Sequence, residues 1–171
     1  MKIIKDGNIT INNIIYKFKI FDTDILIDII RHDKKLAEML ENNIRIYRNQ
    51  QFKIFNLVKE YITYRPDSQL VYFIIYNNKE IISLCRFYYY LNEKYGYFNM
   101  VYTSEKYRNK KICQNMLAYI IKITKKYIHT YELEVDNDNI PAIKCYESNG
   151  FHYVKKINYK EKNYNLMRLI V

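Results

Sequence analysis

The residues that most clearly suggest chemistry connect a predicted strand, through a basic loop, to a predicted helix. A helix begins with N–H groups that have no partner within the helix, and its N-terminus carries partial positive charge. Added basic side chains make this end typical of a phosphate-binding site, although a solvated basic loop before a surface helix is the alternative. The strand end and the loop consist of Val101, Tyr102 and Thr103, followed by Arg108, Asn109, Lys110, Lys111, Ile112 and Cys113.

A second segment places a carboxylate and a phenol around a predicted short helix. Glu134 lies at the end of a strand, Asn139 begins the helix, and Tyr146 follows seven residues later. Because seven residues are close to two helical turns, Asn139 and Tyr146 share a face of the helix. The placement of a carboxylate and a phenol around one short helix makes this segment a second candidate site. The alternative is an ordinary capped helix with a core tyrosine.

Hydrophobic periodicity predicts the elements that position these two segments. The chain begins with a hairpin or a bent first strand, in which Asp6-Gly7 is the expected turn. The result is a single α/β (α+β) domain over residues 1–171. Its further predicted elements are helices over 25–40 and 49–64, strands at 69–76, 80–90 and 95–103, a helix over 108–126, a strand at 131–135, a short helix ending at 149–150, and strands at 151–158 and 163–171.

The composition of the chain argues against several classes of protein function. The chain has 171 residues, 49% hydrophobic residues and a net charge of +10, which is typical of a globular protein. No apolar run approaches the ~20 residues of a membrane span, and no signal peptide is predicted. Three widely spaced cysteines without a CxxC motif favour a reducing, cytoplasmic setting without disulfides. Scattered histidines argue against a metal site, and dispersed lysines make nucleic-acid binding an unfavoured function.

Together the two segments resemble the GNAT superfamily of acetyl-CoA-dependent N-acetyltransferases. The family's phosphate-loop signature is Arg/Gln-x-x-Gly-x-Gly/Ala, which corresponds here to Arg108 through Cys113. Its second signature is Asn, two residues, Ala, three residues, Tyr, then Gly-Phe. Asn139, Ala142, Tyr146 and Gly150-Phe151 match it in register. Both small positions of the first signature are lost, to Lys111 and Cys113. Helical backbone angles at Lys111 would not require glycine.

The resemblance implies one mixed central sheet of about six to seven strands with helices on both faces. The fourth and fifth strands, here those ending at Thr103 and spanning 131–135, would splay apart around acetyl-CoA. The pantetheine arm would pair with Val101, Tyr102 and Thr103, and Asn139 would hydrogen-bond it near the sulfur. The pyrophosphate would lie on the N–H groups of the loop after Arg108, which consists of Asn109, Lys110, Lys111, Ile112 and Cys113.

It also implies direct attack of an amine on the thioester, with no acyl-enzyme and no metal. Tyr146 would protonate the leaving thiolate, and Glu134 would deprotonate the amine. Cys145 has no histidine near it in sequence and is not expected to act as a nucleophile. The preferred acceptor is an amino sugar or its phosphate, because a basic chain attracts anions. The alternatives are a protein α-amine, or an inactive CoA-binding or nucleic-acid-binding module. Homodimers are expected from the family.

Overall fold

The computed structural model describes residues 5–48, 68–159 and 162–171. The helix predicted over 49–64 lies outside the described residues. Within the described residues, eight strands form one mixed sheet in the order β1-β2-β3-β4-β5-β6-β8-β7. Every neighbouring pair is antiparallel except β5 and β6. The predicted α/β architecture with helices on both faces is confirmed, with slightly more strands than the six to seven expected.

The extra strand comes from an N-terminal hairpin formed by β1 (Lys5–Ile11) and β2 (Ile14–Asp22). Its turn is Asn12-Asn13, where both residues have positive φ, 50° and 64°. Two left-handed residues match the twist of a two-residue hairpin, and asparagine tolerates that conformation. The turn predicted at Asp6-Gly7 is wrong, because that pair lies within β1 opposite β2.

Two helices follow where a single helical stretch was predicted. They are α1 (Thr23–His32) and α2 (Lys34–Arg48). The Asp22 side chain accepts a hydrogen bond from the Ile25 N–H at 3.0 Å, and Asp33 accepts one from the Leu36 N–H at 3.0 Å. Asp33 therefore starts a new helix where the first one ends.

The central strands form the predicted antiparallel meander, β3 (Gln69–Tyr76), β4 (Ile81–Tyr90) and β5 (Tyr95–Thr103). Residues 81–89 of β4 are all buried, because helices cover the sheet on both sides. One core lies between the sheet and α1–α2, and it contains Leu26, Leu40 and Tyr72. A second core lies on the opposite face.

The remaining elements carry the candidate site, and they are a 3-10 turn (Glu105–Tyr107), α3 (Ile112–Thr124), β6 (Thr130–Asp136), α4 (Ile140–Glu147), β7 (His152–Tyr159) and β8 (Lys162–Ile170). Both α3 and α4 pack on the second core. The helix predicted from Arg108 begins only at Ile112, because the preceding residues form a turn and a left-handed cap.

The parallel strands β5 and β6 separate after a short ladder. They pair only from Tyr95↔Thr130 to Phe98↔Leu133. Beyond that point the β4–β5 register shifts, so that Leu84 pairs with Tyr102 but Arg86 pairs with Asn99. β5 thus contains one extra residue, a bulge that increases local twist, and Met100 has a φ of 48° there. The splay predicted between the strands at Thr103 and at 131–135 is present.

Candidate functional site

A cleft of about 750 Å³ lies where β5 and β6 separate, bounded by the ends of α3 and α4. Ten of the twelve site residues predicted from the sequence line it: Val101, Tyr102, Thr103, Arg108, Asn109, Lys111, Ile112, Cys113, Asn139 and Tyr146. The structure therefore brings together two segments that are about thirty residues apart in the chain. β6 leaves the edge of β5 at Val101–Thr103 uncovered on the cleft side.

The loop before α3 has a strained backbone. Lys111 is the N-cap residue, with φ 58° and ψ 16°, and Asn109 has a φ of 61°. The expectation of helical angles at Lys111 is wrong, because the chain enters α3 through the left-handed region. A side chain there costs about 1–2 kcal/mol. Glycine avoids this cost, which explains physically why a glycine suits this position.

Contacts from neighbouring elements hold this loop. The Asn12 side-chain amide donates to the Lys110 carbonyl at 3.2 Å, which connects the N-terminal hairpin to the loop. Arg108 Nε donates to the Thr103 carbonyl at 3.3 Å, and Asn115 Nδ2 donates to the Lys111 carbonyl at 2.8 Å. These hydrogen bonds offset part of the backbone strain.

A second set of contacts fixes the turn just before the loop. The Tyr107 hydroxyl donates to the Glu80 carboxylate at 3.0 Å and accepts from Asn77 at 3.2 Å, while Lys106 pairs with Glu80 at 2.7 Å. Burial opposes ionisation of Glu80, but the hydrogen bonds from Lys106 and Tyr107 outweigh it and lower the pKa of the carboxyl group. Burial and the bond to Glu80 raise the pKa of Tyr107.

The α4 side of the cleft is built without such strain. Asn139 caps the helix, since its side chain accepts a hydrogen bond from the Ala142 N–H at 3.3 Å. Pro141 occupies the first turn, where its missing N–H leaves no partner unsatisfied. Tyr146 is buried, with its ring 6.3 Å from that of Phe151. Gly150 takes the left-handed φ of 86° that ends the helix.

Two predicted residues lie outside the walls of the cleft. The Lys110 ammonium lies over the Tyr107 ring at 5.3 Å from its centroid. Glu134 is exposed on β6, just beyond the last residue that pairs with β5. Since side chains alternate along a strand, Glu134 faces the α1–α2 side, opposite the buried Val135. Glu132 faces the same side and is held by Arg168 at 2.6 Å and by the Tyr95 hydroxyl at 2.9 Å.

The cleft also contains a close pair of thiols, which sequence analysis did not predict. The Sγ atoms of Cys113, in the first turn of α3, and Cys145, in α4, are 2.9 Å apart. Only the packing of α3 on α4 could reveal this pair, because the two residues are separated by 32 positions. The hydrogen bond between the two thiols lowers the pKa of Cys145, whereas the same bond and burial raise the pKa of Cys113.

The cleft favours anions. Among the lining residues that the structure describes, the charged side chains are all basic: Arg108, Lys111 and Lys144. The N-terminus of α3 adds its partial positive charge at the same end. Within residues 5–48, 68–159 and 162–171, no three potential metal ligands cluster. No helix in this part of the chain is long and apolar enough to cross a membrane.

A family model described as the acetyltransferase (GNAT) family matches residues 36–151, which include the loop, α3 and α4. The chain belongs to the GNAT acetyltransferase family. Acetyl transfer is the activity that this membership supports. No curated protein matches the sequence.

Solved structures show the same GNAT fold at low identity. Ard1 from Thermoplasma volcanium is 12% identical with a TM-score of 0.64, and the match covers 90% of this chain and 97% of that one. A ribosomal-protein-alanine N-acetyltransferase from Brucella melitensis is 13% identical, with a TM-score of 0.59 and coverage of 89% and 99%. A spermidine N-acetyltransferase chimera from Vibrio cholerae and hSSAT is 14% identical, with a TM-score of 0.61 and coverage of 78% and 89%.

Proposed function

We propose that this GNAT protein transfers an acetyl group from acetyl-CoA to a primary amine, by direct attack of the amine on the thioester. The observation that carries the proposal is the cleft at the β5–β6 splay. There an uncovered strand edge, a basic helix N-terminus and a buried tyrosine meet in one space of about 750 Å³.

The residues of the cleft suit the parts of acetyl-CoA in order. The uncovered edge at Val101–Thr103 can pair with the amide groups of a pantetheine arm, as an added strand does. The N–H groups of Asn109–Cys113, with Arg108 and Lys111 beside them, suit a pyrophosphate. Asn139 lies on the opposite wall, where its amide can hydrogen-bond the same arm. When bound, acetyl-CoA supplies an activated acyl carbonyl and a thiolate leaving group.

Tyr146 is the proposed acid. Its ring is anchored among apolar side chains and it lines the cleft, so its hydroxyl is held at a fixed position relative to a bound thioester. A phenol in that position can donate its proton, or a strong hydrogen bond, to the departing thiolate. A positioned acid contributes a factor of roughly 10²–10⁴ to a rate.

Glu134 is the proposed base. It lies where β6 has just separated from β5, and its side chain faces the α1–α2 side of the sheet. Tyr146 approaches the opening from the α3–α4 side. An acceptor amine that enters from the α1–α2 side would pass Glu134 first, which can remove the ammonium proton before the attack.

The proposed acceptor is a small amine that carries an anionic group, such as an amino-sugar phosphate. The net charge of +10 and the absence of acidic side chains among the described lining residues favour an anionic molecule over a polycation. A protein α-amine is the second candidate. The run Leu133-Glu134-Val135 before the second signature resembles the ribosomal-protein alanine acetyltransferases, the class of the Brucella structure.

A direct test incubates the protein with acetyl-CoA and one of three amines: glucosamine 6-phosphate, a peptide with an N-terminal alanine, or spermidine. Release of the CoA thiol and the mass of the acceptor are followed together. We expect acetylation of the sugar phosphate to exceed that of the other two. Preferential acetylation of the peptide would favour the second candidate. Acetylation of none, with no binding of acetyl-CoA, would leave the protein as an inactive member of the family.

A further inference from the structure

The acetyl-transfer reaction makes no use of one feature of the cleft, its pair of thiols. Cys113 and Cys145 have their sulfur atoms 2.9 Å apart and connect the first turn of α3 to α4. Both side chains are partly exposed, and both line the cleft. A small oxidant that enters the cleft therefore reaches the two sulfur atoms without any unfolding of the core.

The third cysteine of the chain has a different environment. Cys85 lies in β4, is fully buried, and has its pKa raised by burial. Its thiol is within hydrogen-bond distance of backbone carbonyls, at 3.3 Å from that of Arg86 and 3.8 Å from that of Asn99. A thiol without access to solvent and held in its protonated form is unreactive. Cys85 is thus an internal control for reactivity.

The pair also has an order of reactivity. The hydrogen bond between the two thiols lowers the pKa of Cys145, whereas this bond and burial raise the pKa of Cys113. The thiolate is the form that attacks an oxidant. Cys145 is therefore the residue that reacts first, and Cys113 is the thiol placed to react with its product.

We propose that Cys113 and Cys145 are a reversible disulfide site, and that the disulfide closes the cleft to acetyl-CoA. The second half rests on the proposed function. With a hydroperoxide as oxidant, the Cys145 thiolate attacks the terminal peroxide oxygen, forming a sulfenic acid and, after protonation, releasing an alcohol (or water from hydrogen peroxide). The Cys113 thiol then attacks the Cys145 sulfur and expels water. The two thiols lose two electrons and two protons, and the peroxide gains them.

The required movement is small, but it falls at a sensitive place. A disulfide bond is about 2.05 Å long, so the sulfur atoms must approach by about 0.9 Å from their 2.9 Å separation. Cys113 carries one of the N–H groups proposed to bind the pyrophosphate, and Cys145 precedes Tyr146. The cross-link therefore draws both walls together and shifts the groups that hold acetyl-CoA and its leaving thiolate. A misplacement of about 1 Å can reduce a rate by about 10²-fold.

Binding and oxidation must then oppose each other. If the disulfide lowers the affinity for acetyl-CoA, bound acetyl-CoA disfavours the disulfide by the same factor. Saturating acetyl-CoA should also slow oxidation, because it fills the space through which the oxidant reaches the sulfur atoms. ATP, a polyanion without the pantetheine arm, serves as the control ligand.

The experiment treats the reduced protein with hydrogen peroxide and follows the intact mass, the linked peptides and the acetyl-transfer rate. Cys145→Ser and Cys85→Ser are treated in parallel, and each variant is compared with itself before and after oxidation. We expect wild type and Cys85→Ser to lose two hydrogen atoms, to yield a peptide linked through Cys113 and Cys145, and to lose activity by about 10²-fold until dithiothreitol restores it. Cys145→Ser should yield no linked peptide.

The proposal is overturned if no intramolecular link forms, if the link includes Cys85, or if the linked protein binds acetyl-CoA as the reduced protein does. Stepwise addition of oxygen to Cys145 without a link would also overturn it. Failure of the proposed function is distinguishable, because reduced protein would then show neither acetyl-CoA binding nor transfer. In that case the claim that the disulfide closes the cleft to acetyl-CoA is overturned too. The mass of the linked peptide alone then decides whether Cys113 and Cys145 form a disulfide.

Discussion

The cleft has two helical walls, and they differ in how their backbones are held. The α4 wall begins with an asparagine cap, has proline where its missing N–H is harmless, and ends at a glycine with a φ of 86°. The α3 wall begins with a lysine at φ 58°, preceded by an asparagine at φ 61°. In the α4 wall, residues of the same segment cap the helix and adopt the required backbone angles without strain. The α3 wall needs side chains from the hairpin and from α3 to support a strained entry.

A sequence motif normally specifies both the residue types and the backbone conformation of a segment. The two walls show that the conformation can be kept when the residue types change. In the α4 wall both are retained. In the α3 wall the glycines are gone, yet Lys111 still takes the conformation that a glycine would take. The comparison suggests that the shape of the phosphate loop is fixed by its surroundings, including Asn12, Asn115 and Tyr107, more than by glycine.

The largest expected effect is a loss of kcat on removal of the Tyr146 hydroxyl from the α4 wall. Tyr146→Phe removes the hydroxyl and keeps the buried ring, so acetyl-CoA affinity should stay within about twofold while kcat falls by at least 10²-fold. Steady-state kinetics and a calorimetric titration measure the two quantities. Tyr131→Phe is the matched control, because Tyr131 is also buried and loses its 2.8 Å hydrogen bond with Thr124 away from the cleft. An equal loss of kcat in both variants would contradict the role of Tyr146.

The next largest effect is a loss of stability on removal of the Asn139 cap from the α4 wall. Asn139→Ala removes the cap of a helix that has eight residues, and should lower the free energy of unfolding by about 1 kcal/mol. For a chain of this size, that is about 2–4 °C in Tm. Asp138→Ala, next to it and exposed, should leave Tm within about 1 °C, because Asp138 bonds the Asp136 carboxylate through its backbone N–H at 3.0 Å, and alanine keeps that N–H. A similar loss in both variants would argue against the cap.

A smaller effect is a gain of stability when the backbone strain at Lys111 in the α3 wall is released. Lys111→Gly should raise the free energy of unfolding by about 0.5–1 kcal/mol, because release of left-handed strain exceeds the entropy that glycine loses. Lys111→Ala keeps the strain and removes the same charge, so it isolates the backbone contribution. Chemical denaturation of the three proteins measures the difference. If alanine and glycine stabilise equally, the strain at this position is not what distinguishes the two walls.

The smallest effect is a pH-dependent loss of stability when the Glu80 carboxylate, which holds the turn before the α3 loop, is removed. The pKa of Glu80 is lowered in the folded protein, so its carboxylate stabilises the fold above the pKa of the unfolded chain, and this contribution is lost as pH falls through the folded pKa. Glu80→Gln should therefore destabilise by about 0.5 kcal/mol or less near pH 7, and by less near pH 3, since its partner Lys106 is exposed and solvent screens the pair. Unfolding at both pH values measures this. Glu93→Gln, at an exposed turn, should show neither effect.

Sequence periodicity and the second signature predicted much of this arrangement, for reasons that are local. The meander, α3 and β6 have strong hydrophobic patterns, and a complete Asn/Ala/Tyr/Gly-Phe spacing indicates the α4 wall on its own. The turn at Asn12-Asn13, the separate start of α2 and the left-handed angles at Lys111 were missed. Each depends on a choice between backbone conformations that neighbouring elements decide, and the Cys113–Cys145 contact depends on tertiary packing alone.

One measurement tests the central claim most directly, which is that the strained α3 wall and the capped α4 wall together still form an acetyl-CoA site. Thermal unfolding of the reduced protein is followed with acetyl-CoA, with ATP, and without ligand. At about 100 times Kd, acetyl-CoA should stabilise the fold by roughly 2.7 kcal/mol. That is a rise of roughly 5–11 °C, at about 2–4 °C per kcal/mol, and ATP should give little. Equal shifts with both ligands, or no shift with either, would contradict the claim.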